Sequence, residues 1–303
     1  MSKNTGCFSK ILTIGTFDGV HIGHQKILSK VSKIATEKNL IPCVLTFFPH
    51  PRMILNPNQP FKMLSTIEER KFLLEKFGIK LVCVKTFTRE FANMSARDYV
   101  EEILINELNA KKIVIGYDHH FGKNRSANIE DLKQFAKEFK FGIEEISAKD
   151  VDEVTVSSTK IRNALNNGDV ALANKYLGYN YFLTGKVIKG QKLGRTINFP
   201  TANIYIEEDY KLVPKDGVYV VKTVIDNATF YGMMNIGYNP TVNNKSRTIE
   251  VHFFEFDKDI YGEQIVIEIL IRLRDEQKFD SIDTLKKQLA EDKKVSLNYI
   301  YSQ

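Results

Sequence analysis

Two histidines three residues apart, His21 and His24, sit in the run Gly15-Thr16-Phe17-Asp18-Gly19-Val20-His21-Ile22-Gly23-His24. An apolar stretch precedes the run and an amphipathic one follows it, so the pair belongs at a strand end and a helix start. On a first helical turn, that spacing points both imidazoles the same way. Free N–H groups and the positive dipole end at such a terminus favour phosphate. Gly23 carries no Cβ to keep a polyphosphate from the backbone. H-x-G-H in this position signals nucleotidyl transfer. Metal binding by the pair lacks an obvious third ligand.

A second constellation is Val156-Ser157-Ser158-Thr159-Lys160-Ile161-Arg162, just ahead of a short helical pattern. Its hydroxyls can cap that helix. Together with the histidine motif, Ser158, Thr159 and Arg162 become candidates for holding the β- and γ-phosphates as pyrophosphate leaves.

The elements that must position these residues change character along the chain. In the first half, apolar runs Ile11–Gly15, Cys43–Phe48, Leu81–Thr86, Lys112–Gly116 and Ile143–Ser147 alternate with helical patterns. Ile27, Leu28, Val31, Ile34 and Ala35 repeat at three and four, Thr66 with Glu69 offers a capping box, and Leu132, Phe135 and Phe139 mark another helix. A further helix is predicted after Ser95, with Tyr99, Val100, Ile103 and Leu104 on one face. Such alternation predicts a parallel sheet with crossover helices. Two short helices follow, Ser158–Asn166 and Ala171–Leu177, ending at Gly178. From about residue 180, strand-like runs succeed one another: Tyr181–Ile188, Val218–Ile225, Phe230–Ile236, Thr248–Phe256 and Gln264–Arg272. They predict a small antiparallel barrel or sandwich. A final helix is expected over Ser281–Leu289.

The chain has 303 residues, 43% hydrophobic and 26% charged, with a formal net charge of +6 and no Trp. These values exclude disorder and fibrous repeats. No apolar run reaches the ~18 residues of a membrane span, and no secretory leader pattern is evident, which predicts a soluble, cytoplasmic protein. Three cysteines, Cys7, Cys43 and Cys83, indicate neither a disulfide framework nor a zinc site; Cys43 and Cys83 are expected to be buried and inert. The charge is spread out, and by itself suits anionic small molecules as well as nucleic acid.

Taken together, Gly15–His24, Phe48-Pro49-His50-Pro51-Arg52, Gly116–Gly122 and Ser157–Arg162 resemble the adenylyltransferase half of the prokaryotic bifunctional riboflavin kinase/FMN adenylyltransferases. Gly194-Arg195-Thr196-Ile197-Asn198-Phe199-Pro200-Thr201-Ala202-Asn203, Asn235-Ile236-Gly237, Pro240-Thr241, Ile249-Glu250-Val251-His252 and Arg274-Asp275-Glu276 resemble that family's kinase half. The resemblance covers essentially the whole chain in the family's order.

It implies an α/β Rossmann-like nucleotidyltransferase domain with a parallel sheet over residues 1–180. A mainly antiparallel β-barrel riboflavin kinase domain with a C-terminal helix would follow over 181–303. The implied reactions are phosphorylation of riboflavin by ATP to FMN, then adenylylation of FMN to FAD with loss of pyrophosphate. In the first domain, His21 and His24 would be catalytic, Gly15, Phe17, Asp18, Gly23, Ser158, Thr159 and Arg162 would bind ATP, and His50 and Asp118 would lie at the flavin. In the second, Glu250 would be the general base, Gly194, Thr201 and Asn203 would serve ATP and Mg²⁺ with Thr201 as metal ligand, and Arg274 would meet the flavin. The implied partners are small molecules, not nucleic acid or membrane, and the implied assembly is a monomer or weak homo-oligomer.

Departures from the family pattern are His119 and His120 in place of an aromatic and an arginine, Phe48 in place of an acidic residue, and Asn198 in place of glycine. Asn is the non-glycine residue most tolerant of positive φ, so the Asn198 turn is expected to survive. Two other classes share features of the sequence. Class I aminoacyl-tRNA synthetases share H-I-G-H, and Lys62-Met63-Leu64-Ser65 mimics their second motif, but it comes too soon and leaves no room for a tRNA-binding domain. A flavin-sensing protein without turnover would have no reason to keep Glu250, Thr201, Asn203 and both histidines.

Overall fold

The computed structural model describes residues 9–116, 119–146, 156–190, 194, 197–241 and 244–303, and it divides into two compact units, Met1–Ser157 and Ser158–Gln303. The first contains strands β1 (Lys10–Ile14), β2 (Ile41–Phe48), β3 (Leu81–Thr86), β4 (Ala110–Gly116) and β5 (Gly142–Ile146). They form one parallel sheet in the order β3-β2-β1-β4-β5. β1 is buried along its whole length, as a central strand covered on both faces must be.

Helix α1 (Ile22–Lys38) buries Leu28, Val31, Ile34 and Ala35, four of the five positions that its spacing predicts, and ends on a left-handed Asn39. The short α2 (Pro51–Leu55) follows β2, and α3 (Ile67–Lys76) opens with the expected Thr66/Glu69 capping box. After α4 (Arg89–Ala92), Ser95 caps α5 (Ala96–Asp98), which widens into a π-helical stretch, Tyr99–Glu107. Tyr99, Val100, Ile103 and Leu104 are buried there and join the core between strands and helices. Helix α6 (Ile129–Phe139) precedes β5. Strand order reverses around β1, which has β2 on one side and β4 on the other. The crevice outside the carboxyl end of such a strand is where open α/β sheets bind ligands.

The second unit opens with α7 (Ser158–Asn167) and α8 (Val170–Leu177), the latter closed by a left-handed Gly178. Asn174 ties this helical pair to the strands: its side chain donates to the Ile269 and Leu270 carbonyls and accepts from Tyr181 N–H. The compositional change near residue 180 thus comes after two helices that cluster with the strands beyond them.

Six strands follow: β6 (Phe182–Ile188), β7 (Ala202–Tyr205), β8 (Gly217–Ile225), β9 (Ala228–Thr241), β10 (Asn244–Phe253) and β11 (Gln264–Arg274). They close into an antiparallel barrel, β10-β7-β6-β11-β8-β9. β7 is an addition to the strands that the sequence predicts. Helix α9 (Ile282–Tyr301) runs twelve residues past the expected end at Leu289. Its later turns bury Asp292 and Ser296 alongside the core-facing Leu289, Leu297 and Ile300. Asp292 takes a bidentate ion pair from Arg274 of β11, with Nε–Oδ1 at 2.9 Å and Nη2–Oδ2 at 2.6 Å.

Candidate active sites

The histidine loop leaves the carboxyl end of β1 in the first unit. His21 is the N-cap of α1: its Nδ1 accepts from His24 N–H at 3.4 Å. The two rings stack with centroids 3.7 Å apart and planes 15° from parallel, as the three-residue spacing requires. Phe17 leans on His24 from the other side of the loop, at 4.9 Å. A Cβ on Gly15 would stand 3.1 Å from the Phe17 ring, and one on Gly23 would stand 3.3 Å from the His21 imidazole. The room at Gly23 therefore lets the His21 ring lie against the backbone.

His24 is partly exposed as a residue, yet its Nδ1 is enclosed and has no hydrogen-bond partner among the described residues. Burial, and then the neighbouring His21 and Arg70, hold its pKa well below the usual imidazole value. A neutral imidazole at a helix N-terminus, with an unanswered ring nitrogen, is prepared for an anionic ligand that would meet that nitrogen and favour the charged form.

Asp18, expected among the phosphate-binding residues, has no exposed surface. Its carboxylate accepts from Leu64 N–H at 3.0 Å, Ser65 N–H at 3.1 Å and the Ser65 hydroxyl at 3.2 Å, while Ser65 Oγ accepts from Gly19 N–H. The buried Arg70 guanidinium stands 4.0 Å away and also donates to Thr46 Oγ1. Asp18 thus anchors the loop. The sequence did not link Leu64 and Ser65 to Asp18, because two of the groups that answer its carboxylate are backbone amides.

His50 caps α2 through Nδ1, accepting from Arg52 N–H at 3.1 Å, and its ring lies 4.5 Å from that of Phe61. His119 lies flat against Phe121, with ring centroids 6.0 Å apart. Asp118 lies outside the described residues. Ser158 is the first residue of α7, with Thr159 and Arg162 in its first two turns. Cys43 is buried but Cys83 only half-buried, with their sulfurs 3.8 Å apart.

In the second unit, the expected kinase residues converge on the β7–β10 pair. Glu250 is in register with Asn203 on one side and with Asn235 of β9 on the other. Thr201 Oγ1 donates to Glu250 Oε2 at 3.1 Å. Gly190 has Asn203 over it so closely that a Cβ would stand 2.2 Å from Nδ2, and a Cβ on Gly194 would meet the Phe199 carbonyl at 2.2 Å. Asn198 adopts φ +64°, so asparagine does supply the left-handed turn expected of it. The Glu276 carboxylate lies directly over the backbone of Gly237. Arg274, expected at the flavin, pairs with Asp292 and donates to the Asp275 carbonyl. Sequence reading also passed over the role of His252, two residues beyond Glu250 on the same face of β10. Its Nδ1 lies 2.8 Å from the Pro200 carbonyl.

A parallel-sheet unit with H-x-G-H at the end of its first strand, and a closed barrel with a Thr–Asn–Glu cluster, define a nucleotidyltransferase joined to a kinase. Residues 5–160 match the FAD synthetase family model, and residues 177–300 match that of riboflavin kinase. The chain belongs to the bifunctional riboflavin kinase/FMN adenylyltransferase family. Curated members similar to it include those of Bacillus subtilis (37% identical, covering 95% of this chain and 92% of that one) and Haemophilus influenzae (40% identical, covering 93% and 91%). A crystal structure described as a macrolide-efflux protein from Streptococcus pneumoniae superposes with a TM-score of 0.86 at 35% identity, covering 96% of this chain and 95% of that one. Among the described residues, no helix is long and apolar enough to cross a membrane.

Proposed function

We propose that the chain phosphorylates riboflavin at the β7–β10 cluster and adenylylates FMN at the histidine loop, with the adenylyltransferase domain over residues 1–180 and the kinase domain over 181–303. Two observations carry this reading: the convergence of Thr201, Asn203 and Glu250 in one unit, and, separately, the enclosed, unanswered His24 Nδ1 in the other.

In the kinase reaction, Glu250 takes the proton from the ribityl 5′-hydroxyl as that oxygen forms its bond to the γ-phosphorus of ATP and ADP leaves. The neighbouring Thr201 hydroxyl holds the carboxylate in place. The cluster's hydroxyl, amide and carboxylate oxygens are the hard donors that suit Mg²⁺, so Thr201 and Asn203 would hold it together with substrate phosphates. Mg²⁺, when bound, supplies neutralisation of phosphate charge. Arg274, which pairs with Asp292 of α9, lies toward the flavin.

In the adenylyl transfer, an FMN phosphate oxygen attacks the α-phosphorus of ATP, and pyrophosphate departs. His21 and His24 stabilise the charge that develops, and no covalent enzyme intermediate is needed. Phe17, Gly15 and Gly23 shape the loop, and Asp18 anchors it. Ser158, Thr159 and Arg162 hold the departing phosphates, while His50 and Asp118 lie toward the flavin. The protein works in the cytoplasm on small molecules, without nucleic acid or membrane, as a monomer or weak homo-oligomer.

Chromatography of flavins after incubation with riboflavin, ATP and Mg²⁺ tests the proposal. FMN and then FAD are expected. Riboflavin left untouched at neutral pH would refute it.

A further inference from the structure

Strand β10 grips the segment before β7 at two successive residues. Glu250 and His252 are two apart and so face the same side of the strand. Glu250 accepts from the Thr201 hydroxyl, and the His252 ring nitrogen Nδ1 lies 2.8 Å from the carbonyl of the preceding residue, Pro200. A carbonyl can only accept, so Nδ1 carries the proton. Pro200 has no N–H to fix its own position, and β7 begins only at Ala202. Glu250 pairs with Asn203 and Val251 with Ala202, and the pairing stops short of Thr201. On the other side of Thr201, the His252 contact with the Pro200 carbonyl ties the chain to β10.

The ring is enclosed, 9% exposed, against Phe199 at 5.2 Å and Phe254 at 5.8 Å. Phe254 belongs to the core that takes in Leu289 and Leu297 of α9. Burial lowers the pKa of His252, although the Pro200 contact opposes the shift. The neutral imidazole with its proton on Nδ1 is thus the resting form.

We infer that His252 is a positioning residue for phosphoryl transfer: its Nδ1–H holds the Pro200 carbonyl and thereby sets Thr201 against Glu250. The inference rests on the kinase reading of the β7–β10 cluster, and two substitutions separate the donor from the ring. His252→Phe keeps an aromatic ring among Phe199 and Phe254 and removes the donor. His252→Asn removes the ring and keeps an N–H near the position of Nδ1.

With the full chain, His252→Phe should lower kcat for FMN formation about tenfold to a hundredfold, the scale of a small misplacement of reacting groups. The KM for riboflavin should hold, and adenylylation of supplied FMN should be unchanged. His252→Asn should recover a large part of the lost kcat even if its melting temperature falls below that of His252→Phe. A histidine whose role is packing gives the opposite order, with Phe active and Asn impaired, and that order overturns the inference. Nitrogen-15 spectra of the imidazoles in the unmutated protein give a reading that needs no variant to fold: a His252 proton on Nε2 alone also overturns it. Unmutated protein that leaves riboflavin untouched refutes the kinase reading itself, a result distinct from either.

Discussion

Thr201 Oγ1 reaches Glu250 Oε2 at 3.1 Å across a seam where β7 and β10, nearly fifty residues apart in sequence, pair through Asn203 and Glu250. The His21–His24 stack lies in the other compact unit. Separate placement makes the two activities separable. Glu250→Gln keeps size and hydrogen bonding but accepts no proton, so FMN formation should fall by about 10²–10⁴ while FAD formation from supplied FMN persists. His24→Ala should lower FAD formation by about 10²–10³ and leave FMN to accumulate. Initial rates of each half-reaction decide this. Loss of both activities in a folded Glu250→Gln protein would point to a single shared site.

A second expectation concerns where the chain can be cut. Residues 181–303 hold every kinase signature, but Asn174 of α8 accepts from Tyr181 N–H and donates to two carbonyls of β11. A fragment from Ser158 should therefore fold more stably than one from Tyr181, and both should make FMN but no FAD. Thermal melts of the two fragments with a riboflavin phosphorylation assay provide the comparison. Equal melting temperatures would mean that the helical pair contributes nothing to the barrel.

Asn198 holds φ +64° in the turn ahead of Pro200. Replacement by Gly should be nearly neutral, because glycine adopts that conformation freely. Asn198→Val should cost about 1–3 kcal/mol and impair phosphorylation, because a β-branched residue resists positive φ. Chemical denaturation and kinase rates on the pair measure it. A fully active, equally stable Val variant would show that the turn relaxes without consequence.

Removing one partner of the Arg274–Asp292 pair strands the other in a poorly solvated place. Asp292→Ala should destabilise the protein by about 3–5 kcal/mol, whereas an Arg274→Met/Asp292→Leu double substitution should recover most of that. Urea titrations of the single and double variants test the contrast. A double variant as unstable as Asp292→Ala would argue that the pair has a role beyond mutual compensation.

The folded protein keeps His24 neutral to lower pH than an unfolded chain does, since burial, His21 and Arg70 all depress its pKa below 6.5. Between the depressed value and 6.5, the unfolded chain binds more protons, so stability rises with pH through that window. This contribution is fully present above 6.5 and is lost as pH falls. His252, also depressed chiefly by burial, acts with the same sign. Melting temperature should drop on acidification below 6.5, and less steeply for His24→Gln. Identical slopes for both proteins would remove His24 as a contributor.

The central strands β1 and β2 were legible because apolar runs that are buried on both faces leave an unmistakable pattern, and α1 and α3 because spacing and capping agreed. β7 was not. Ala202–Tyr205 is four residues long, with a polar Asn203, and offers no alternation to read. The later turns of α9 hid for a different reason: Asp292 and Ser296 occupy inward positions where a periodicity argument looks for apolar residues. In the sites, residue types and spacing announced His21 and His24, whereas Thr201, Asn203 and Glu250 stood out only through the family resemblance. What holds them did not show, because Asp18 is answered by backbone amides of residues 64 and 65, and His252 by a proline carbonyl.

The strand that brings Thr201 to Glu250 is also the shortest of the six that make the ring, and its partner across the seam is distant in sequence. A refolding chain can form the hairpins β8–β9 and β9–β10 early, from nearby residues, and acquire most of its strand signal with the ring still open. Glu250 would then be present on a formed strand while Thr201 and Asn203 were still elsewhere. Kinase turnover is thus a stopwatch for ring closure: its return should lag behind far-ultraviolet circular dichroism, by the time β7 takes to enter the gap.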